Sequence, residues 1–239
     1  MGGEQTGHGV RGADPGRGAS GREWRVRGRP RGRPPRITRP AIADAALAVG
    51  FDNLTLATVA DRLQVAHSAL YRHVADREEL VMVAIDRAVA AAPWPEPAGE
   101  WRPDLEAQAA AVWHVLERHP GLVKEFLKLT RFPEEVMRRF GASVRSLIGY
   151  GFTAENAFLA VDTVFDLTID VFSRGKQLDA PAGRSIVRDS TADAWAEAVG
   201  AEVAPLMRRA LTDPAATWFD RKLRLVLDGV AASLAPRTG

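Results

Sequence analysis

The chain has no cysteine, and it has only four lysines beside 28 arginines. Without cysteine, neither a disulfide framework nor a thiolate zinc site can form. No apolar run approaches the ~18 residues that a membrane-spanning helix needs. The charged N-terminus is also not followed by the apolar stretch of a secretory signal. We therefore expect a cytoplasmic protein with no membrane segment.

Residue patterns that support catalysis are missing as well. The sequence has no nucleophile–base spacing, no cluster of metal-ligating side chains and no phosphate-binding glycine loop. The glycines near the N-terminus do not qualify, because such a loop needs a strand before it and a helix after it. We predict that the chain is not an enzyme and that it needs no cofactor and no metal.

Charge is distributed unevenly along the chain. Residues 1–39 hold ten arginines and three acidic residues, a net charge of +7, whereas the remaining residues carry a net charge of −5. A biased genome composition would explain arginine in place of lysine, but it would not explain the concentration of arginine at one end. A basic end on an acidic body indicates that a polyanion is bound at that end.

The basic end predicts a DNA-binding arm. Residues 1–36 are rich in glycine, arginine and proline and have almost no periodic apolar residues, which is typical of disorder. Within them, residues 30–34 (Pro-Arg-Gly-Arg-Pro) resemble the core of an AT-hook, whose arginines lie in the narrow minor groove of A/T-rich DNA. The alternative is that compositional drift produced this arginine-, glycine- and proline-rich sequence. If the arm does bind DNA, Arg39 would add a phosphate contact. The predicted contacts of the arm are Arg27, Arg29, Arg31, Gly32, Arg33 and Arg36.

Apolar residues with helical spacing begin after the arm. Between residues 38 and 50 they fall at i, i+3, i+4 and i+7, which predicts a first helix. Thr38 is the expected cap of this helix, and Thr55 is the expected cap of a second helix. Residues 64–66 then form a turn before a short helix over about 67–74. A capping-box pattern begins a longer helix over about 76–92.

This order of elements predicts a helix-turn-helix, whose second helix enters the major groove of DNA. His67, Ser68 and Ala69 begin that helix, where the base edges would lie. Tyr71 is equally well explained as a core aromatic residue. Metal binding by the two histidines is disfavoured, because residues six apart do not share a helical face. The predicted DNA contacts of the head are Thr55, His67, Ser68, Ala69, Tyr71, Arg72, His73 and Arg77.

Residues 37–90 resemble the TetR-type transcriptional regulators. Two departures from that family's pattern are Gln64 at a turn position that is normally glycine, and Ala66 at a cap that is normally serine or threonine. A left-handed glutamine and a missing cap each cost roughly 1 kcal/mol. The residues that carry the resemblance are Leu54-Thr55, Val59-Ala60, Leu63, Val65, Ala69-Leu70-Tyr71, His73-Val74, Arg77 and Glu79-Leu80.

The rest of the chain is helical in character beyond a proline- and glycine-rich break at residues 93–99. We predict an all-α fold with a three-helix head at 37–92 and a larger helical domain for ligand binding and dimerisation at 100–239. The helices predicted in this larger domain are 101–118, 121–129, 133–150, 153–173, 191–211 and 216–234.

The segments 153–173 and 216–234 are apolar on more than one face and therefore need partners on several sides. They predict a homodimer joined by a four-helix interface, which also suits an operator with two half-sites. The resemblance further implies that the larger domain binds a small-molecule effector of unknown identity.

Three aspartates, Asp162, Asp166 and Asp170, recur at i, i+4 and i+8 on one of these apolar helices. Like charges at this spacing repel unless cations face them. They form either a stripe that is solvated or salt-bridged, or part of a pocket for a cationic or polyhydroxylated effector. The candidate pocket residues are Trp113, His114, Phe126, Asp162, Phe165 and Asp166.

Together these features predict a one-component transcriptional regulator, which we expect to be a repressor associated with the nucleoid. Two recognition helices would read a palindromic operator, the arms would reach the flanking minor groove, and a ligand would change the separation of the heads. The alternative is an architectural DNA-binding protein without an effector. Two-fold-symmetric protection in a footprint would favour the regulator, and broad coverage of A/T-rich DNA would favour the architectural protein.

Overall fold

A computed structural model describes residues 37–97, 99–182 and 185–236, which belong to one compact unit. The predicted arm, residues 1–36, lies outside the described residues. Its disorder and its contacts with the minor groove therefore stay predictions. None of the helices in the described ranges combines the length and the apolar character needed to cross a bilayer.

The described residues fold into helices apart from short connections, which confirms the predicted all-α class. A 3-10 turn, Phe51–Asn53, separates α1 from α2, and two-residue strands β1 (Pro181–Ala182) and β2 (Ser185–Ile186) pair antiparallel after α8. The helices are α1 Arg39–Val49, α2 Leu56–Leu63, α3 His67–Leu70, α4 Arg77–Ala90, α5 Trp101–Arg118, α6 Leu122–Phe126, α7 Glu134–Gly149, α8 Ala154–Leu178, α9 Val187–Ala198, α10 Ala204–Thr212 and α11 Ala215–Ser233.

Side-chain caps set the starts of three head helices. Thr38, Thr55 and Asp76 each accept a hydrogen bond from the backbone N–H three residues further on, as the sequence predicts. The capping box at α4 is modified. The Glu79 carboxylate accepts a hydrogen bond from the Ala75 N–H at 2.6 Å, whereas the usual box would use the N–H of the capping residue itself.

The predicted recognition helix is shorter in the structure than the sequence indicates. The sequence predicts a helix over about 67–74, but α3 ends at Leu70 and the chain continues as a turn. The His73 N–H donates to the Leu70 carbonyl at 2.8 Å, three residues back, which is the tighter bonding of a helix terminus. Leu70 and Val74 are buried and form the inner side of this segment.

Two boundaries of the C-terminal region also differ from those predicted. The segment 191–211 consists of two helices, α9 and α10, because Gly200 adopts a left-handed backbone (φ 82°) that ends the first of them. Helix α8 continues five residues beyond 173, to Leu178. Gly175 in this extension is still buried, so packing sustains the helix.

The head shares its hydrophobic core with the helices that follow it. Ile85 of α4 belongs to the same buried cluster as Val115 of α5 and Leu122 of α6. A second cluster lies between α5, α7, α8 and α11, with Val161 and Leu227 at its centre. Helix α4 is therefore packed on one side by the head and on the other by the C-terminal helices.

Candidate nucleic-acid interface and effector cavity

The turn before α3 has both of the departures that the sequence indicates. Gln64 is left-handed (φ 55°, ψ 43°), and among the described residues it is the one non-glycine with positive φ. Ala66 precedes α3 in an extended conformation and offers no side-chain cap. Backbone bonds still close the turn, with the Val65 N–H donating to the Ala60 carbonyl at 3.1 Å. The start of α3 is thus formed without the side-chain help that such helices usually have.

Gln64→Gly is expected to stabilise the protein by about 0.5–1 kcal/mol, because glycine adopts the left-handed conformation without steric cost. Urea unfolding of the full chain measures the change. Arg62→Gly, two residues earlier and inside α2, is the matched control and should destabilise by about 1 kcal/mol, because a helix interior penalises glycine. If both variants changed the free energy of unfolding in the same direction, the turn at Gln64 would not be strained.

The exposed side of α3 presents polar and aromatic groups. His67 and Ser68 are exposed at its beginning, and Ala69 is half-buried beside them. Tyr71 is 51% exposed and meets the His67 ring edge-on, with the centroids 5.2 Å apart, so it is not a core aromatic residue. Arg72 is also exposed, and no described residue forms an ion pair or hydrogen bond with it.

The end of this segment is braced from the first helix of the head. The Arg39 guanidinium donates to the His73 carbonyl at 2.9 Å and pairs with the Glu79 carboxylate at 2.7 Å. Hydrogen bonds from the Ala75 N–H and from Arg39 lower the pKa of Glu79 below its ordinary value. Arg39, for which the sequence suggests a phosphate contact, is therefore engaged inside the head.

A buried carboxylate links α4 to α6. Glu125 is 6% exposed, and it accepts hydrogen bonds from Arg77 at 2.7 Å and from Lys128 at 2.8 Å. Burial alone would raise the pKa of Glu125, but the hydrogen bonds from the two cations outweigh it and lower that pKa. Arg77, a predicted DNA contact, is thus half-exposed and tied to the C-terminal helices. Nothing in the sequence around Glu125 distinguishes it from a surface glutamate.

Two further carboxylates of α4, Glu78 and Asp86, accept three hydrogen bonds from the C-terminal region. Near its beginning, the Glu78 carboxylate accepts from both the backbone and the hydroxyl of Thr130, at 2.9 and 2.7 Å. Further along, Asp86 accepts from the Glu135 N–H at 2.8 Å. Helix α4, which follows the predicted recognition helix α3, is thereby fastened to the connection after α6 and to the start of α7.

Helices α4 to α8 enclose an apolar cavity of about 70 Å³. Phe126 and Phe165, two of the predicted pocket residues, line it. Arg139 is the charged residue among its described lining residues, and its guanidinium lies 4.9 Å from the Trp94 ring centroid. The other lining residues are Ile85, Val89, Trp94, Val112, Val115, Leu116, Leu122, Val136 and Ile169. Of the eleven apolar or aromatic lining residues, Ile85 and Val89 belong to α4 itself.

The structure does not bring the other predicted pocket residues to this cavity. Trp113 stacks on Phe219 at 4.9 Å and lines a separate cavity, and His114 is exposed. Asp162 is half-buried and Asp166 exposed on α8, and no described cation pairs with either. Burial and the neighbouring Asp162 charge raise the pKa of Asp166.

Helices α8 and α11 expose apolar side chains on the sides turned away from their shared core. Leu225 on α11 is 73% exposed, the highest value among the large apolar side chains in the described ranges. Leu159 on α8 is 48% exposed and lies on the same helical stripe as Asp162 and Asp166. We name this surface, defined by Leu159, Asp162, Asp166 and Leu225, the α8–α11 face.

Comparisons with known proteins place the chain among transcriptional regulators. The profile of the family described as tetracyclin repressor-like, C-terminal domain, matches residues 92–234. The HTH-type transcriptional repressor DrrR1 of Streptomyces coeruleorubidus is 32% identical over 108 residues, which are 42% of this chain. The matched part spans 40% of the length of that relative.

Solved structures share the fold. ActR of Streptomyces coelicolor, in complex with actinorhodin, has a TM-score of 0.67 at 19% identity, over 82% of this chain and 98% of that one. A possible TetR family transcriptional regulator from Streptomyces coelicolor has a TM-score of 0.67 at 25% identity, over 82% of this chain and 99% of that one.

Proposed function

The chain belongs to the tetracyclin repressor-like family, and from this premise we propose that it is a ligand-responsive transcriptional repressor. It acts as a homodimer on a palindromic operator and thereby resides on the nucleoid. The observation that carries the proposal is the exposed side of α3, where His67, Ser68, Tyr71 and Arg72 stand free of the core. The similarity to DrrR1, named a transcriptional repressor, supports the same direction of control.

The exposed groups of α3 suit the two tasks of a recognition helix. His67 and Ser68 can exchange hydrogen bonds with base edges in the major groove. Arg72 and the Tyr71 hydroxyl suit phosphate oxygens, which fix the position of the helix. His73, whose carbonyl is held by Arg39, and Thr55, at the start of α2, flank this surface. Only a few side chains of α3 therefore contact the bases directly.

The basic arm supplies affinity that these few contacts lack. Its arginines add electrostatic attraction to phosphate and to the minor groove, which depends on salt more than on sequence. Residues 30–34 are the segment that would enter the minor groove. The arm therefore increases binding to all DNA and most of all to operators flanked by A/T-rich sequence.

Deleting residues 1–36 is expected to weaken operator binding at least tenfold, or about 1.4 kcal/mol, at low salt. It should also flatten the dependence of affinity on salt by about 0.9 in slope for each phosphate contact that is lost. Fluorescence anisotropy over a salt series measures both. Arg31→Gln/Arg33→Gln should lose more affinity than Arg11→Gln/Arg17→Gln, which removes equal charge outside residues 30–34. If the deletion left both the affinity and its salt dependence unchanged, the arm would make no contribution to operator binding.

The homodimer forms through the α8–α11 face. Leu159 and Leu225 would leave water on association, and each is too exposed to stabilise a single chain. Asp162 and Asp166 would face the second subunit, whose own α11 carries Arg221 and Arg224. Oppositely charged partners across the two-fold axis would offset the repulsion between the stacked aspartates.

The effector enters the cavity between α4 and α8. A volume of about 70 Å³ is well below the roughly 300 Å³ of an ordinary ligand pocket, so occupation requires the walls to move. Ile85 and Val89 are part of those walls, and they belong to the helix that follows the recognition segment. A ligand that binds the displaced state better shifts α4 and, with it, the spacing of the two heads. ActR, which has the same fold, is solved with actinorhodin bound.

Footprinting on selected DNA tests this function against the architectural alternative. The full chain selects sequences from a random duplex library, and the enriched sequence is then footprinted. A regulator is expected to enrich an inverted repeat and to protect two half-sites one or more helical turns apart. Broad protection of A/T-rich DNA, with no repeat enriched, would establish the architectural protein instead. Arg72→Ala should reduce protection of the half-sites, whereas Arg62→Ala, in α2, should leave it unchanged.

A further inference from the structure

A second and larger cavity lies at the opposite end of the C-terminal helices. It is enclosed by the last turns of α8, by α9, by the end of α10 and by the start of α11, and its volume is about 370 Å³. That volume falls in the range of small-molecule sites. It shares no described lining residue with the cavity between α4 and α8. It is therefore a separate compartment that the proposed effector site does not use.

Aromatic and aliphatic side chains form most of its wall. Trp195 of α9 lines it and is 51% exposed, so one indole is available at its rim. Trp218 of α11 lines it from the other side, and the Arg221 guanidinium lies 4.7 Å from its ring centroid. The aliphatic residues that extend this apolar surface include Val171, Leu178 and Leu211. Two indoles at one cavity suit a flat aromatic ring, which they can contact over a large area.

The charged groups of this cavity are all cationic. Arg174, Arg188 and Lys222 line it, and no carboxylate belongs to its described lining. Arg174 is paired with Asp170 at 2.9 Å and Arg188 with Asp179 at 2.7 Å. Lys222 is different, because it is half-buried and no described residue pairs with it. A partly desolvated ammonium without a partner favours an anion brought by a ligand.

The site is held in shape before any ligand arrives. The Arg188 side chain is 10% exposed, and its guanidinium binds Asp179, the carbonyl of Leu211 and, at 3.4 Å, the carbonyl of Asp213. This residue thereby ties the start of α9 to the ends of α8 and α10. On the floor, Gly175 brings α8 so close to α11 that a Cβ there would lie 2.7 Å from the Cβ of Ala215. Such preorganisation lowers the entropic cost of binding.

We propose that this cavity is a binding site for an aromatic carboxylate. The ring lies against Trp195 and Trp218, and the carboxylate accepts a charge-assisted hydrogen bond from the Lys222 ammonium. The proposal does not depend on DNA binding or on the effector cavity. It assigns to Lys222 and Trp195 a role in ligand recognition beyond the proposed regulatory function.

Calorimetric titration of the full chain with 2-naphthoate tests the site. Saturable binding of one naphthoate per chain is expected, and Lys222→Met should weaken it about tenfold or more, the effect of losing a charge-assisted hydrogen bond. Lys222→Arg should keep the affinity within about threefold, because the cation is retained. The neutral isostere 2-naphthylmethanol should bind about tenfold more weakly to the unaltered chain and should be insensitive to Lys222→Met.

Two control variants decide where the ligand sits. Lys124→Met removes an exposed lysine of α6 and should leave naphthoate binding unchanged. Arg139→Met removes the charged side chain of the cavity between α4 and α8 and should also leave it unchanged. Absence of saturable binding up to about 1 mM would overturn the proposal. So would binding that Arg139→Met abolishes while Lys222→Met does not. If Lys222→Met fails to fold, the comparison of naphthoate with the neutral isostere on the unaltered chain decides.

Discussion

Leu225→Glu is expected to convert the proposed dimer into a monomer and to weaken operator binding about 100-fold or more, or roughly 3 kcal/mol. Leu225 is 73% exposed in the single chain, so its replacement leaves the fold of one subunit intact. In a dimer formed through the α8–α11 face, the new carboxylate would be desolvated beside Asp162 and Asp166. A buried and unpaired charge costs several kcal/mol, and a monomer brings only one recognition helix to the operator.

Analytical ultracentrifugation measures the association, and anisotropy measures operator binding. Leu127→Glu is the matched control, because Leu127 is a leucine of comparable exposure (58%) that follows α6, away from the α8–α11 face. This control should remain dimeric and bind the operator normally. If Leu127→Glu dissociated the protein and Leu225→Glu did not, the interface would have to be sought near α6 instead.

Arg77→Met is expected to destabilise the protein by about 1–2 kcal/mol at neutral pH, more than an exposed ion pair would. Glu125 would keep its burial but lose one of its two cations, and Lys128 alone would compensate it. The expected destabilisation is smaller than the full cost of breaking a buried ion pair, because Arg77 itself is half-exposed. Glu125→Gln removes the negative charge of the same pair. The destabilisation of the Arg77→Met/Glu125→Gln double variant should be smaller than the sum of the destabilisations of the two single variants.

The pH dependence of this effect has a defined sign. The pKa of Glu125 is lowered in the folded chain, so its contribution to stability is present above its ordinary value of 4.5 and disappears as the pH falls through the lowered value. Urea unfolding at pH 7 and at more acidic pH should therefore show the Arg77→Met penalty shrinking towards acid. Arg62→Met, at an exposed arginine of α2, should show no comparable penalty at either pH. A penalty independent of pH would assign the effect to lost packing.

The features that could be predicted correctly from the sequence are those that depend on neighbouring residues. The caps at Thr38, Thr55 and Asp76 depend on atoms three residues apart, so a short stretch of sequence contains the whole interaction. The left-handed Gln64 was visible through the family resemblance, as a departure at a turn position that is normally glycine. The length of α3 was less accessible. Its last turn tightens because the chain must bend into α4, a tertiary demand that overrides local propensity.

Long-range pairings were not predictable from the sequence. Arg77 and Glu125 are separated by 48 positions, and Arg39 and Glu79 by 40, so no periodicity connects them. Surface arginines and glutamates are so common that neither pair stands out before the fold is known. From the sequence, Arg39 therefore looked like one more phosphate contact of the arm. In the structure its guanidinium instead binds the His73 carbonyl and the Glu79 carboxylate.

The candidate pocket illustrates the same distinction. Phe126 and Phe165 were candidates for the apolar wall of a pocket, and they do line one cavity. Trp113 satisfied the same criterion but points to a different compartment, beside Phe219. The direction of a side chain within a bundle depends on helix rotation, which apolar content alone does not fix.

The single core that joins the head to α5 and α6 limits how its DNA specificity can be redesigned. Ile85 and Leu80 on α4 belong to the same buried cluster as Val115, Leu116 and Val123. A recognition head grafted from a relative would bring α4 residues shaped for other neighbours, and close-packed interiors tolerate such mismatches poorly. Operator preference would be transplanted more safely by exchanging the exposed side chains of 67–72 on the existing backbone, leaving α4 in place.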